Sequence, residues 1–323
     1  MEQYLCYLLF ALGLVIIIKA SDFFVDSAIW VARATGIPDI IVGATLVSLC
    51  TTLPEAVVSS TSAAHDLPEM AFGNAFGSIV FNTTFILGIT FLFSRPPVTD
   101  RDTFVKNTFF LLLLAAGTGV LLFIRHEISR AAGLALLFIL VLYLIMNVIS
   151  AKKNNRRAAQ RVERVDTSRE TVVKKLLLLA LGAAGVIFGS NLLVDNGTLI
   201  AKSLGVSELI IGLTITAVGT SLPELVTAIQ SMIKKAQNLS VGNIIGADIL
   251  NIILVTGLSS VIHPMQLDSL ASGLFSVAAV LAVGGAVLWF GLTNEKNFTR
   301  KNGVVMLALY VTYIAINMMY FAH

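Results

Sequence analysis

Apolar residues run through this sequence in long blocks that are separated by short polar segments. An α-helix needs about 20 mostly apolar residues to cross a lipid bilayer, and the blocks reach this length repeatedly. We therefore predict an all-α membrane protein with ten transmembrane helices. They cover residues 4–31, 40–64, 69–93, 104–124, 128–149, 172–201, 206–234, 240–262, 267–292 and 302–322.

One longer polar segment, residues 150–171, interrupts this pattern near the middle of the chain. Its basic residues are Lys152, Lys153, Arg156, Arg157, Arg161, Arg164 and Arg169. We interpret the segment as a solvated basic linker between a first half, residues 1–149, and a second half, residues 172–323. Each half then contains five of the predicted helices.

The basic residues also orient the predicted helices, because cytoplasmic loops carry an excess of Lys and Arg. With the linker in the cytoplasm, 18 of the 22 basic residues lie inside and three lie outside. Both termini are then expected outside the cell. Since each half has an odd number of helices, the second half starts on the opposite side from the first, and the two halves are expected to be inverted.

The two halves repeat one another at a constant offset of 169 residues: TTLPE at 51–55 is matched by TSLPE at 220–224. Other matched pairs are Ser21 and Ser190, Asp26 and Asp195, Gly36 and Gly205, Gly43 and Gly212, Gly73 and Gly242, Asn74 and Asn243, Gly77 and Gly246, Asn82 and Asn251, and Gly88 and Gly257. Inverted repeats of this kind place a substrate site near the bilayer midplane, where the halves meet.

Composition supports a membrane protein, since only 13% of the residues are charged, against about 25% in soluble domains. The two cysteines lie in apolar segments and indicate no disulfide framework. The sequence shows no nucleophile with a matching base, no phosphate-binding loop and no cluster of histidines. We therefore predict that the protein is not an enzyme and requires no cofactor. Its net charge of +3 gives no indication of nucleic-acid binding.

Each half places a glutamate inside a predicted helix, where a charged side chain costs about 2.5–3.5 kcal/mol or more. Polar residues at spacings of three and four share the helix face with each glutamate. They are Ser48, Thr51 and Thr52 beside Glu55, and Thr220 and Ser221, with Ala217, beside Glu224. The prolines at 54 and 223 each remove a backbone donor, which frees carbonyl oxygens near residues 50–51 and 219–220.

The following helix of each half carries a second polar stripe. In the first half it consists of Asn74, Ser78 and Asn82; in the second half it consists of Asn243, Asp248 and Asn251, with Ala247 in the place of Ser78. Such a stripe also suits hydrogen bonding between helices. Its duplication next to the glutamate motif favours a role in a binding site.

Carboxylates, hydroxyls, amides and carbonyls are hard oxygen ligands, which favour Ca²⁺, Mg²⁺ or Na⁺ over zinc or copper. Two glutamates match the charge of one divalent cation. Ions that compete for the same carboxylates bind alternately, and alternate binding gives exchange. The residues alone leave open which cation drives which.

The paired motifs, Gly43 to Asn82 with TTLPE and Gly212 to Asn251 with TSLPE, resemble the two alpha repeats of the cation/calcium exchanger superfamily. The span count is similar to that of the compact prokaryotic sodium/calcium exchangers. The resemblance implies a monomer in a prokaryotic cell membrane that transports Ca²⁺ and Na⁺, with four cation positions at the midplane. It also implies that the first and sixth helices slide across the rest during transport.

The same resemblance implies roles for individual residues. Glu55 and Glu224 are the central Ca²⁺ ligands, and the carbonyls of Thr51 and Thr220 assist them. The flanking Na⁺ positions use Ser48, Thr52, Ser78, the Ala217 carbonyl and Ser221, while Asn82 and Asn251 lie opposite the glutamates.

The chain departs from the family pattern where members often carry an acid, because position 251 is Asn and the nearby acid is Asp248, one turn earlier on the same face. Ala247 also lacks the usual hydroxyl. These departures leave Na⁺ and H⁺ open as the driving ion. Our first interpretation is an antiporter that exchanges Ca²⁺ for Na⁺. The alternatives are a Ca²⁺/H⁺ antiporter and, from a different class, a cation channel or a membrane sensor of divalent cations.

Overall fold

The computed structural model describes residues 2–98, 100–158, 165–203, 217–267 and 269–320. Its helices are α1 (Glu2–Thr35), α2 (Asp39–Thr51), α3 (Leu53–Ala64), α4 (Pro68–Ser94), α5 (Arg101–Arg125), α6 (Arg130–Ala158), α7 (Arg169–Ser203), α8 (Ala217–Thr220), α9 (Leu222–Ile233), α10 (Gln237–Ile262), α11 (Leu270–Thr293) and α12 (Arg300–Tyr320). Two short antiparallel strands, β1 (Glu127–Ile128) and β2 (Met265–Gln266), pair Glu127 with Gln266 and Ile128 with Met265.

The described helices confirm the prediction of an all-α membrane protein. Eight of them are long and apolar enough to cross a membrane, and α2 with α3 forms a ninth, bent span. Helix α9 is shorter, and residues 204–216 before it lie outside the described residues. Because the predicted span 206–234 falls partly in that gap, the count of ten stays a prediction.

The basic linker is largely helical where it is described. Helix α6 continues past the predicted end at residue 149 as far as Ala158, and α7 begins at Arg169. Ala, Lys and Arg are good helix formers, so the helix has no reason to end where the apolar run ends. Residues 159–164, with Arg161 and Arg164, lie outside the described residues.

Helix boundaries recur at the offset of 169 residues found in the sequence. Helices α3 and α9 begin and end at matching positions, and α4 and α10 begin at matching positions. The turns that join these helices have matching residues, Asp66 and Lys235, each with a φ of 58°. A π-helical turn begins at Asn82 in α4 and at Asn251 in α10. The sequence repeat therefore corresponds to a structural repeat over this part of the chain.

Helices α4 and α10 form the centre of the molecule. In their most apolar windows, 72% and 83% of the residues are buried, against 33% or less in the other six long spans. The outer helices expose large apolar side chains such as Leu113, Phe138 and Leu181, which suit a lipid surface. The polar stripes predicted on α4 and α10 therefore lie in the interior, away from lipid.

Two glycines bring α2 and α10 into direct backbone contact. A Cβ atom on Gly242 would lie 2.2 Å from the carbonyl oxygen of Ile40, and one on Gly43 would lie 2.3 Å from that of Leu239. Only small residues allow helices to approach so closely. This contact holds the first turns of α2 against α10 and so packs the two halves directly against each other.

Helices α1 and α7 pack against each other along their length. A Cβ atom on Gly182 would lie 2.9 Å from the Cα of Phe24, and one on Gly189 would lie 2.9 Å from the backbone nitrogen of Ile17. Beyond this pair, Lys234 at the end of α9 bonds two carboxylates of α1, Asp22 at 2.6 Å and Asp26 at 2.7 Å. These ion pairs fix the end of α9 to α1.

Candidate cation site

A helix break precedes the buried glutamate of each half. Thr52 separates α2 from α3, which are bent by 44°, and Ser221 separates α8 from α9. Pro54 and Pro223 lie in the first turn of the new helices, where a missing N–H is tolerated. The breaks thus occur where the prolines predict them. They place both glutamates in a first helical turn, where the helix dipole favours negative charge.

The two glutamate side chains are fully buried. Ser221 Oγ donates to Glu55 Oε1 at 3.1 Å across the two halves. The other oxygen of Glu55 and both oxygens of Glu224 have no hydrogen-bond partner among the described residues. The two charges repel each other, and the ion pairs that the described residues form lie elsewhere. Buried carboxylates without a counter-charge are costly, so this pair is a candidate cation site.

Asn243 bridges the two halves beside this pair. Thr51 Oγ1 of the first half donates to Asn243 Oδ1 at 3.2 Å, and Asn243 Nδ2 donates to Thr227 Oγ1 at 3.2 Å. All three side chains are buried. The bridge fixes the Thr51 side chain, and with it the end of α2 whose carbonyls are predicted ligands.

Asn74 forms the mirrored bridge. Thr220 Oγ1 of the second half donates to Asn74 Oδ1 at 3.1 Å, and Asn74 Nδ2 donates to Ser59 Oγ at 2.8 Å. Each threonine therefore bonds the asparagine of the opposite half. These crossed hydrogen bonds give the predicted asparagines a positioning role, since they hold the two helix breaks against each other.

A third carboxylate, Asp248, lies buried on α10. Thr83 Oγ1 donates to its Oδ2 at 2.6 Å. Its Oδ1 has no partner within the described ranges, and neither do the amide atoms of Asn82 and Asn251. The charge of Asp248 acts on Glu224, so the three carboxylates belong to one electrostatic region.

The other predicted ligands are also placed in the interior. Ser48, Thr52 and Ser78 are buried; Ser48 Oγ donates to the Thr45 carbonyl at 3.3 Å, while the hydroxyls of Thr52 and Ser78 have no partner in the described chain. Ala217 is the first residue of α8, and its side chain lies outside what the structure describes. Most of the predicted side chains are thus buried, as the glutamates are.

Three hydroxyl residues of this network, Ser59, Thr83 and Thr227, were not predicted from the sequence. Ser59 and Thr227 lie within about one helical turn of the glutamates, so helical spacing is a signal that could have identified them. Thr83 gives no such signal, because its repeat counterpart is the apolar Ile252. Its role follows only from the contact with Asp248.

The oxygen atoms of these buried polar residues suit a hard cation. Their side chains offer carboxylate, amide and hydroxyl oxygens, which suit Ca²⁺ and Na⁺. In the described part of the chain, no three His, Cys, Asp or Glu side chains approach closely enough to hold a metal ion by themselves. Amide, hydroxyl and backbone oxygens would therefore complete the shell around the two glutamates.

Away from these buried residues, the contact of Lys234 with Asp22 and Asp26 has an electrostatic consequence. Desolvation lowers the pKa of Lys234, but the hydrogen bonds and charges of Asp22 and Asp26 outweigh it and raise the pKa above its ordinary value. The lysine is therefore held in its charged form, bound to α1.

Known proteins resemble the chain over nearly its whole length. The profile of the family described as sodium/calcium exchanger protein matches residues 5–149 and 174–319. Inner membrane protein YrbG of Escherichia coli (strain K12) is 34% identical over 313 residues, 95% of each chain. The sodium/calcium exchanger MaX1 of Methanosarcina acetivorans is 27% identical over 347 residues, 96% of this chain and 97% of that one. A solved structure of the sodium-calcium exchanger NCX_Mj, soaked with Na⁺ and Sr²⁺, has a TM-score of 0.83 at 28% identity and covers 97% of this chain and 99% of that chain.

Proposed function

This chain belongs to the sodium/calcium exchanger protein family, and we propose that it is a secondary antiporter that exchanges Ca²⁺ for Na⁺ by alternating access at a midplane cation site. The resemblance noted in the sequence is thereby confirmed at the level of the family. Proteins of this family are ion exchangers and not enzymes. The apolar helices and the membrane-protein relatives make the chain a multi-pass membrane protein.

The pair of buried carboxylates, Glu55 and Glu224, is the observation that carries this proposal. They lie at matching break points of two repeated helix pairs, and Ser221 connects the halves at Glu55. Two negative charges suit one Ca²⁺, with carbonyls of Thr51 and Thr220 as further ligands. Na⁺ ions that take the same carboxylates exclude Ca²⁺, so the two cations are bound alternately.

The Na⁺ positions that we propose flank this centre. Their ligands are Ser48, Thr52, Ser78, the Ala217 carbonyl and Ser221, with Asn82, Asn251 and Asp248 facing the glutamates. The unpartnered hydroxyls of Thr52 and Ser78 and the unpartnered amides support this assignment. Buried polar atoms of this kind normally have a partner, and a bound cation would supply one.

Alternating access requires two arrangements around a fixed site. The recurrence of helix boundaries at one offset supports two inverted five-helix repeats in residues 1–149 and 172–323, joined by the linker at 150–171. The lengthwise packing of α1 on α7 supports movement of these helices as a pair. In this proposal the protein is a monomer of a prokaryotic cell membrane, with both termini outside and the linker in the cytoplasm.

The test is ⁴⁵Ca²⁺ uptake into proteoliposomes that are loaded with Na⁺, with the pH clamped on both sides. Uptake that depends on the outward Na⁺ gradient supports Ca²⁺/Na⁺ exchange. Uptake that ignores Na⁺ and follows an imposed pH gradient identifies a Ca²⁺/H⁺ antiporter instead. A cation current without counter-ion coupling identifies a channel, and Ca²⁺ binding without flux identifies a sensor.

Variants test the site separately from the coupling. Glu55→Gln combined with Glu224→Gln is expected to abolish uptake, while Glu170→Gln, a change at an exposed glutamate, serves as the matched control. Size-exclusion chromatography establishes that each variant is folded. Uptake that survives the double substitution in a folded protein contradicts the assignment.

A further inference from the structure

Helix α2 contains a π turn, Gly43–Val47, directly before Ser48. The backbone N–H of Ser48 donates to the carbonyls of Gly43 and Thr45. In a regular α-helix it would donate four residues back, to the carbonyl of Ala44. The Ala44 carbonyl therefore loses its ordinary donor. Because Ala44 is buried and buried carbonyls are normally paired, another group has to replace that donor.

Tyr143 of α6 provides the replacement. Its Oη donates to the Ala44 carbonyl at 3.0 Å, and 5% of its surface is exposed. The Tyr143 ring stacks on Phe110 of α5, with 5.8 Å between the ring centroids and 10° between the ring planes. A buried tyrosine hydroxyl needs a hydrogen-bond partner, so this contact satisfies both groups. The stacked ring keeps the hydroxyl at the carbonyl.

Helix α10 packs against the same peptide unit. A Cβ atom on Gly246 would lie 2.5 Å from the Cα of Ala44 and 2.7 Å from its carbonyl oxygen. Only a small residue allows the two backbones to approach so closely. The π turn of α2 is therefore held by a hydrogen bond from α6 and by backbone packing against α10.

Two predicted ligands of α2 depend on this turn to different degrees. A π turn contains one more residue than an α turn, so it determines which side of the helix the residues after it face. Ser48 Oγ donates to the Thr45 carbonyl, inside the turn itself, at 3.3 Å. Thr51 Oγ1 is held at 3.2 Å by Asn243 of the opposite half. Loss of the turn would therefore displace Ser48, while the bridge retains Thr51.

Tyr143 differs from its repeat counterpart, Thr312. The Thr312 hydroxyl donates to the Ala308 carbonyl of its own helix at 2.9 Å. The counterpart of Ala44, Leu213, lies outside the described residues. The asparagine bridges occur in both halves, whereas the tyrosine contact is a feature of the first half within the described chain. Its effect should accordingly fall on the ligands of α2.

We propose that Tyr143 is a positioning residue for Na⁺ binding: its hydroxyl stabilises the π turn of α2, and the turn directs Ser48 toward the Na⁺ position. This inference rests on the proposed function, because it takes Ser48 as a Na⁺ ligand. Tyr143 itself does not contact the cation. The Ca²⁺ ligands Glu55 and Glu224 lie beyond the helix breaks, in α3 and α9, so their affinity for Ca²⁺ should not depend on this turn.

The experiment measures equilibrium binding of ⁴⁵Ca²⁺ to the full chain by scintillation proximity, and its displacement by Na⁺, at fixed pH. Tyr143→Phe removes the hydroxyl and keeps the ring. We expect the Na⁺ concentration that displaces half of the bound Ca²⁺ to rise by about two- to tenfold, as expected from the loss of one buried hydrogen bond. The Ca²⁺ affinity measured without Na⁺ should stay the same.

Tyr313→Phe is the matched control, because it removes the hydroxyl of a tyrosine in α12 that stacks on Phe275. It should change neither value. Phe110→Leu removes the ring that stacks on Tyr143 and should shift the Na⁺ value in the same direction by a smaller factor. This second variant keeps the test independent of the folding of the first.

A double-mutant cycle tests whether Tyr143 acts through Ser48. Ser48→Ala should weaken the displacement by Na⁺, and adding Tyr143→Phe should then have little further effect, because residues that act as a unit are not additive. Additive losses would show that the tyrosine does not act through the serine.

Two further results would overturn the inference. One is a Na⁺ value that neither Tyr143→Phe nor Phe110→Leu changes. The other is an equal loss of Na⁺ and Ca²⁺ affinity in folded Tyr143→Phe protein, which would indicate a general structural role. A wild-type protein whose bound Ca²⁺ is not displaced by Na⁺ would contradict the exchange function itself, and this separates the two failures.

Discussion

Glu55 and Glu224 occupy matching positions in the two halves, yet only Glu55 has a hydrogen-bond partner within the described chain. This difference in hydrogen bonding arises from the residue that each glutamate meets in the opposite half. Ser221 Oγ reaches Glu55, whereas the hydroxyl of its counterpart, Thr52, reaches no partner among the described residues. The helix breaks are alike in the two halves, but the side chains around them differ.

The difference between the halves separates the frame of the site from its chemistry. The frame is symmetric, with matching breaks, turns and crossed asparagine bridges. The charges are asymmetric, because only the second half adds an acid, Asp248, where the first half has Ile79. A repeated backbone thus supports a site whose two sides interact differently with the same ion.

The largest effect that would test this asymmetry is on Ca²⁺ affinity. Glu55→Gln and Glu224→Gln should each weaken binding by about 100-fold or more, since each removes a buried charged ligand. The loss should be greater for Glu224→Gln. The amide introduced at position 55 still accepts a hydrogen bond from Ser221, whereas at position 224 it has no such anchor. Equilibrium ⁴⁵Ca²⁺ binding measures both.

A third variant tests the reason for that difference. Adding Ser221→Ala to Glu55→Gln removes the anchor and should bring the loss closer to that of Glu224→Gln. If the two single variants lose equal affinity, the hydrogen bond at Glu55 does not distinguish the halves.

Replacing the bridging asparagines, Asn243 and Asn74, should have a smaller effect, which is on the stability of the fold. Asn243→Ala removes the buried link between Thr51 and Thr227, whose hydroxyls then bond only carbonyls of their own helices. We expect it to destabilise the protein by about 1–2 kcal/mol. Asn74→Ala should cost less, because Asn74 is only half-buried and water can replace it. Thermal unfolding in one detergent compares them.

Asn317→Ala is the control for that comparison, since the Asn317 amide donates to the Tyr313 carbonyl of its own helix. It should change the unfolding temperature little. Equal losses from Asn74→Ala and Asn243→Ala would show that burial does not rank the two bridges.

The smallest effect concerns Lys234, whose repeat counterpart is His65. Lys234→Gln breaks two ion pairs to α1 and should cost about 0.5–1 kcal/mol at low salt. His65→Gln should cost less, because the His65 ring contacts the Thr61 carbonyl of its own helix. Thermal unfolding of both variants over a range of salt concentrations measures the difference.

The contribution of Lys234 should also depend on pH. The raised pKa of Lys234 means that the folded protein holds this proton more tightly than the unfolded chain. The stabilisation is therefore fully present below the ordinary lysine pKa of about 10.4 and is lost as pH rises through the raised value. The gap between wild type and Lys234→Gln should be constant from about pH 7 to 9 and should narrow above about pH 10.4. A gap that widens with rising pH would contradict the assignment.

The sequence predicts the fold well where apolar length and repetition determine it. The helix that carries Asn82 is found at 68–94 against a prediction of 69–93, and the break before Glu55 lies beside Pro54. The predicted span 128–149 agrees with the apolar part of α6, Arg130–Ser150, while the helix itself continues to Ala158, because a helix that extends into water carries no apolar signal. The length of an apolar run therefore predicts the part of a helix that crosses the membrane, and not the full length of the helix.

The sequence predicts the candidate site to the same extent as it predicts the fold. Duplication identifies Glu55 and Glu224, and helical spacing gives the hydroxyls on their face. Partners across the halves, such as Ser221 for Glu55, depend on how the helices pack, and no local pattern encodes that packing. Thr83 is the clearest example, because it lacks a polar counterpart in the repeat.

The π-helical turns at Asn82 and Asn251 also set the direction of the polypeptide beyond them. A π turn holds one more residue than an α turn, and both halves carry this turn at the same repeat position. Each central helix therefore continues about 100° out of phase with the α-helical register that precedes its turn. Removing one residue from either turn would rotate all that follows by about the same angle.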